Sequence, residues 1–147
     1  MKKNDNSLTT QAFNELCMEL KKDLTHKARV RFMDGRLEIS PLFNREACKI
    51  VIDVEPWTAL VLFDDTYTIE VFQNPKHPER LAPSLRKLIH DVVAGKITIR
   101  EYDKHHTSYK VEVGEEKFNI NALLKRKSSL VKVRHFEPYS SHRTSIE

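Results

Sequence analysis

The sequence predicts an α+β fold: a mainly antiparallel sheet of about seven or eight strands with two amphipathic helices, in an order that hints at two α-β-β-β halves. Three observations carry this expectation. From Ala47 to Phe72 the chain reads ACKIVIDVEPWTALVLFDDTYTIEVF, its densest concentration of β-forming apolar residues, so this stretch forms the middle of the sheet. Two other stretches space their apolar residues at the helical interval. Arg29 to Ser40 reads as a β-hairpin around Asp34-Gly35, the residue pair that a tight type I′ turn favours.

Residues 1–7 are polar, and disorder or fraying is expected there. A helix is predicted from about Thr10 to Lys27, because Phe13, Leu16, Cys17, Leu20 and Leu24 share one face while Glu15, Glu19, Lys21 and Lys22 fall outside it. The hairpin follows, and its register is counted outward from the turn. Phe32 faces Leu37 and Val30 faces Ile39 on one side, and Arg31 faces Glu38 on the other. Pro41 to Glu46 connects to the central stretch. There Cys48, Ile50, Ile52 and Val54 alternate with Lys49 and Asp53, which marks a half-buried strand ended by Pro56. Thr58 to Phe63 is apolar at consecutive positions and is expected to be covered on both faces. Asp64-Asp65-Thr66 turns the chain into a third strand, where Tyr67, Ile69 and Val71 alternate with Thr68 and Glu70.

Asn74 to Pro78 is a rigid loop. The second helix is predicted from about Glu79 to Ala94. It carries Leu81, Leu85, Leu88, Ile89, Val92 and Val93 on one side, accepts Pro83 in its first turn and stops at Gly95. Lys96 to Tyr102 and Ser108 to Val113 form a second hairpin, closed by Asp103 to Thr107. After a turn at Gly114-Glu115-Glu116, Phe118 and Ile120 indicate a short strand, and Asn121 to Lys127 a helical turn or loop. Leu130 to Phe136 is the last strand, with Val131 and Val133 alternating with Lys132 and Arg134. Both helices are expected to cover one face of the sheet.

A chain of 147 residues suits one α+β domain, read as residues 1–137, followed by a polar C-terminal tail over 138–147. A core of that size needs neither metal nor disulfide to hold it. Cys17 and Cys48 both lie on apolar faces, the setting of a buried free thiol, which points to a reducing, cytoplasmic location. The polar start lacks the apolar run of a signal peptide, and the longest purely apolar run, Ala59 to Phe63, is too short to span a bilayer, so no membrane partner is expected.

The charge is unevenly placed. Of 25 basic and 21 acidic side chains, residues 117–147 hold seven of the basic and only two of the acidic ones. Lys125, Arg126, Lys127, Lys132 and Arg134, with Phe136 beside them, are therefore the candidate nucleic-acid contacts: cations attract phosphates, and an aromatic ring stacks on an unpaired base. The competing reading makes Lys132 and Arg134 the wet side of an edge strand, where charge discourages edge-to-edge aggregation.

Other constellations are weaker. Asp103, His105 and His106 put three potential ligands in one loop, but adjacent histidines diverge and a fourth ligand is not evident, so no metal or other cofactor is assigned. Asp103 with Glu115-Glu116-Lys117 resembles the Asp…Glu-x-Lys pattern of metal-dependent nucleases, in which two carboxylates hold magnesium and the lysine steadies the developing charge. Glu115 follows Gly114, however, in a turn. Asp53, Glu55, Asp64 and Asp65 cluster at strand ends and read as turn and surface residues, and Trp57 after Pro56 reads as an anchor. With three glycines the chain has no Gly-rich phosphate loop and no nucleophile elbow. No family resemblance spans it. The expected function is that of a small non-enzymatic protein-binding module of the inhibitor, immunity or adaptor type, acting through an uncovered sheet face or a strand edge. The alternatives are a nucleic-acid-binding regulator that uses the basic C-terminal segment, and a metal-dependent nuclease-like enzyme.

Overall fold

The computed structural model describes residues 3–54, 58–72, 76, 80–103, 107–121 and 130–139. They form two helices and nine strands: α1 (Lys3–Asp23), β1 (Ala28–Met33), β2 (Arg36–Pro41), β3 (Ile50–Val54), β4 (Thr58–Phe63), β5 (Tyr67–Phe72), α2 (Leu81–Val93), β6 (Ile97–Glu101), β7 (Ser108–Val113), β8 (Glu116–Asn121) and β9 (Lys132–His135). The class is α+β, and the strands divide into two antiparallel sheets where the sequence suggested one. Sheet one runs β1-β2-β3-β4-β5 in chain order, and sheet two runs β8-β7-β6-β9. Each sheet follows a helix, so the suggested α-β-β-β order is present in both halves, extended by two strands in the first and one in the second.

Local chemistry accounts for the elements. Asp34 and Gly35 have φ of 51° and 77°, the left-handed pair of a type I′ turn. The register counted from that turn holds: Phe32 lies opposite Leu37, Val30 opposite Ile39 and Arg31 opposite Glu38. Helix α1 begins at Lys3, before the expected start at Thr10, because neither glycine nor proline interrupts the backbone ladder ahead of the apolar stripe. Helix α2 ends in a Schellman motif, with Gly95 N–H donating to the Val92 carbonyl at 2.9 Å and Lys96 N–H to the Asp91 carbonyl at 2.8 Å.

One core joins the inner faces of both sheets to both helices. The Phe13 ring of α1 meets Phe32 of β1 edge-on at 5.2 Å, and Arg86 of α2 reaches Glu19 of α1 at 2.9 Å. Strand β4 departs from the expected two-sided cover. Ala59, Val61 and Phe63 are fully buried in the core, while Leu60 and Leu62, on the opposite face of the strand, are only half-buried. Among the described residues no helix is long and apolar enough to cross a membrane.

Candidate functional site

Strand β9 carries two of the six candidate nucleic-acid residues, Lys132 and Arg134, with Phe136 just beyond its end, and its two sides differ from the expected alternation. Arg134 lies opposite Ile99, which is fully buried, so Arg134 and not Val133 faces inward. Its guanidinium donates to Asp64 at 2.8 Å and lies 4.8 Å from the Phe136 ring centre and 5.8 Å from that of Tyr67. Phe136 is buried. Arg134 and Phe136 are thus engaged within the junction between the sheets, and the inward arginine is tolerated because an acid and two ring faces receive it. Lys132 is exposed, and Lys125, Arg126 and Lys127 lie outside the described residues.

The junction is a polar cluster set between apolar walls. The Tyr67 hydroxyl donates to the carboxylate of Glu101, which is all but buried on the inner side of β6. The Tyr109 hydroxyl donates to the Thr68 carbonyl at 2.7 Å and accepts from the Thr68 N–H at 2.9 Å, and the rings of Tyr67 and Tyr109 meet edge-on at 5.3 Å. Burial pushes the Tyr67 phenol up, and Glu101 adds to it; burial also raises Tyr109, against the opposing hydrogen bond from Thr68. Burial works against the Arg134 charge, but Tyr67 and Asp64 more than offset it, so the guanidinium is held more firmly protonated than usual.

Beyond β9 the chain becomes a strap. Glu137 N–H donates to the Glu46 carbonyl at 3.1 Å and Tyr139 N–H to the Val93 carbonyl at 2.9 Å. The Asn44 amide donates to Glu137 at 2.9 Å and to the Pro138 carbonyl at 3.0 Å. Tyr139 is fully buried and its hydroxyl donates to the Cys48 carbonyl at 2.5 Å, so packed structure extends into the segment read as tail. Burial, joined by Asp64, drives the Cys48 thiol far above the usual range, the state of a packed and not a nucleophilic cysteine.

Among the described residues the weaker constellations do not assemble. Asp103 accepts hydrogen bonds from the Thr107 N–H, the Thr107 hydroxyl and the Ser108 N–H, and so closes the hairpin loop; His105 and His106 lie outside the described residues. Glu115 turns the chain at the far end of β7 from Asp103, roughly 17–20 Å along a six-residue strand, too far for both carboxylates to hold one metal. Among the described residues no group of three acidic, histidine or cysteine side chains is placed to hold a metal. Asp53, Asp64 and Asp65 pair with Arg36, Arg134 and Lys49, and Glu55 and Trp57 lie outside the described residues.

Two concavities among the described residues bear on binding. One of about 380 Å³ lies on the outer face of β1 to β3 and is lined by Arg31, Met33, Asp34, Arg36, Glu38 and Asp53, in which Arg36 and Asp53 neutralise each other at 2.9 Å. The other, of about 530 Å³, runs between β5 and β8, lined by Leu60, Thr68, Ile69 and Glu70 on one side and Lys117 to Ile120 on the other. β5 is one of the two edge strands of sheet one, β1 being the other. Both backbone groups of Thr68 point away from β4, since they meet Tyr109; by the two-residue period of a strand, those of Glu70 point the same way. Tyr109 therefore caps one part of the β5 edge and leaves the next part, at Glu70, open beside the groove. Neither Glu70 nor Lys117 forms an ion pair with another described residue.

The sequence reading gave no site role to Tyr67, Glu101 or Tyr109. A signal existed for Glu101, which occupies an apolar position in the alternation Ile97, Ile99, Glu101. The groove has no such signal, because it depends on how two sheets meet. The chain matches no protein-family model, no curated protein and no solved structure.

Proposed function

We propose that this protein is a non-enzymatic binding module of the inhibitor, immunity or adaptor type, working in the cytoplasm, which takes an extended segment of a partner protein into the groove between β5 and β8. The observation that carries the proposal is the partly open β5 edge: Tyr109 satisfies the outward backbone groups of Thr68, while those of Glu70 face a groove with apolar and charged walls. A strand added there gains main-chain hydrogen bonds, and its alternate side chains meet Ile69, Phe118 and Ile120 or the free carboxylate of Glu70. The fitting segment alternates aliphatic and polar residues and places a basic residue beside Glu70. Binding is favoured over catalysis because Asp64, Glu101, Asp103, Arg134 and Cys48 are engaged in contacts within the fold. A cytoplasmic setting is supported by two buried free thiols.

The test uses Glu70→Pro, which removes the outward N–H without touching the ladder to β4, an arrangement that edge strands tolerate. Peptides selected from a random phage-displayed library on the wild-type protein should bind Glu70→Pro at least tenfold more weakly and Glu70→Ala much less so. Equal binding to wild type and Glu70→Pro sinks the proposal, provided the proline variant melts as the wild type does.

A further inference from the structure

The outer faces of the two sheets differ in charge balance. On sheet one Arg29, Arg31 and Arg36 share the surface with Glu38, Asp53 and Glu70, and Arg31 and Arg36 lie directly opposite Glu38 and Asp53. On sheet two the outer positions are Thr98, Arg100, Lys110, Glu112, Lys117, Asn119, Val133 and His135, so three cations face one carboxylate. Arg100 and Lys110 lie directly opposite each other, a like-charge cross-strand pair that destabilises a sheet. Glu112 is their shared counter-ion, at the long distances of 3.6 Å and 3.8 Å. Lys117 is exposed at the end of the neighbouring strand.

Apolar surface lies beside these cations. Val133 is opposite Arg100, Val131 just before β9 is half exposed, and Tyr102 directly follows β6, half-buried, with its N–H donating to the Ser108 carbonyl. The two valines are on the outward side because Arg134 takes the inward side of β9. A local rule is broken at Arg100 and Lys110 where nothing inside the fold requires it, and such breaks concentrate where a ligand supplies the missing charge.

We infer that the outer face of sheet two binds single-stranded nucleic acid, with phosphates on Arg100, Lys110 and Lys117 and a base on Tyr102 and the adjoining valines. A four-stranded antiparallel sheet suits this ligand. Its flat face accepts splayed bases, and cations on adjacent strands follow the backbone. A duplex fits less well, because its bases are already stacked. The site is distinct from the peptide groove in Arg100, Lys110 and Tyr102, none of which lines that groove.

The test is fluorescence anisotropy with fluorescein-labelled 12-nucleotide oligouridylate, oligodeoxythymidylate and a duplex, at about 50 and 200 mM salt. The wild type should bind the single strands more tightly than the duplex. The double variant Arg100→Gln/Lys110→Gln should weaken that binding at least tenfold and reduce the salt slope by roughly 1.4, about 0.7 for each lost phosphate contact. Tyr102→Ala should weaken it several-fold at either salt concentration. Peptide capture at the β5 groove should be unchanged in the double variant, so the two proposals fail separately. Lys117→Gln carries the charge test should the double variant misfold. The inference is overturned if the wild type binds no oligonucleotide at the lower salt, or if the double variant binds within twofold of it. It is equally overturned if loss of binding requires Lys125, Arg126 and Lys127 instead, or if polyglutamate competes as well as the single strands and Tyr102→Ala has no effect, which would mark a general polyanion surface.

Discussion

The two halves share a plan and complete it differently. In the first, α1 is followed by five strands that pair strictly with their chain neighbours, so sheet one is assembled from local turns. In the second, α2 is followed by β6, β7 and β8, and the sheet is finished by β9, which returns to the free edge of β6. The chain then continues as the strap over Glu137 to Tyr139 that fastens the β2–β3 connection and the end of α2. Sheet one can form its pairings early and cheaply in loop entropy, whereas sheet two and the junction depend on contacts of long sequence separation. The difference locates the vulnerability of the fold in the strap, and leaves the outer faces and the β5 edge available for binding.

The largest effect should come from removing the strap's anchor. Tyr139→Ala empties a fully buried site and removes the hydrogen bond to Cys48, at a cost of about 4 kcal/mol, a large share of the stability of a small domain. Tyr139→Phe keeps the ring and should cost about 1–2 kcal/mol by leaving a buried carbonyl short of a donor. Urea unfolding at neutral pH measures both. If Tyr139→Ala costs less than about 1 kcal/mol, the strap is not what ties the halves together.

What was legible in the sequence follows the same division. The β1–β2 hairpin could be counted residue by residue because Asp34-Gly35 sets its turn and every apolar and charged pair lies within the hairpin. The six apolar residues of α2 were visible for the same reason, and all six are buried. β9 was misread on its sides, since Val131 and Val133 looked like the inward set; Arg134 turns inward to meet Asp64, 70 residues earlier, and local alternation does not encode that partner. The split into two sheets and the groove beside Glu70 were illegible because both depend on packing between distant segments. Of the six basic and aromatic candidates, Lys132 alone among the described ones is both exposed and free of the junction contacts that engage Arg134 and Phe136.

Two glycines sharpen the comparison, since both have positive φ but belong to different regions. Gly35, at φ 77°, has no heavy atom within 4 Å of the position a Cβ would take, so Gly35→Ala should cost only backbone strain, about 1 kcal/mol. Gly95, at φ 81°, would place its Cβ 2.7 Å from the Pro138 nitrogen and 2.8 Å from the Pro138 Cδ, and must displace the strap. Gly95→Ala should therefore cost about 2–3 kcal/mol, the excess over Gly35→Ala being the steric part. Equal costs in parallel denaturation curves would mean that the strap yields freely.

Alkaline pH probes the junction as a whole. Burial is the leading cause by which Cys48, Tyr67, Tyr109 and Tyr139 hold their protons to higher pH than usual. The unfolded chain ionises these groups first, so their contribution is fully present below about pH 8 and is lost as pH rises, on the order of 2 kcal/mol by pH 10 with Cys48 the main contributor. Unfolding free energies at pH 7, 8, 9 and 10 should trace that decline, with Tyr139→Phe falling less steeply. A flat profile through pH 10 would show that these groups titrate freely in the folded protein.

The smallest and most discriminating comparison lies within one turn. Asp64 and Asp65 connect β4 to β5 with φ of 54° and 59°, so both hold a left-handed conformation that glycine adopts at lower cost. Asp65 is exposed and reaches only Lys49, at 3.3 Å, an open ion pair of little value. Asp65→Gly should therefore stabilise the protein by about 0.5 kcal/mol, strain relief exceeding the added freedom of the unfolded chain. Asp64 bears the same strain but receives the Arg134 guanidinium at 2.8 Å from the other sheet. Asp64→Gly relieves that strain and leaves a half-buried arginine without its acid, so its net effect should be destabilising by about 1 kcal/mol. Opposite signs from neighbouring residues of one turn would separate what that turn does for its own hairpin from what it does for the junction; equal gains from both would show that the Asp64–Arg134 pair contributes nothing to holding the halves together.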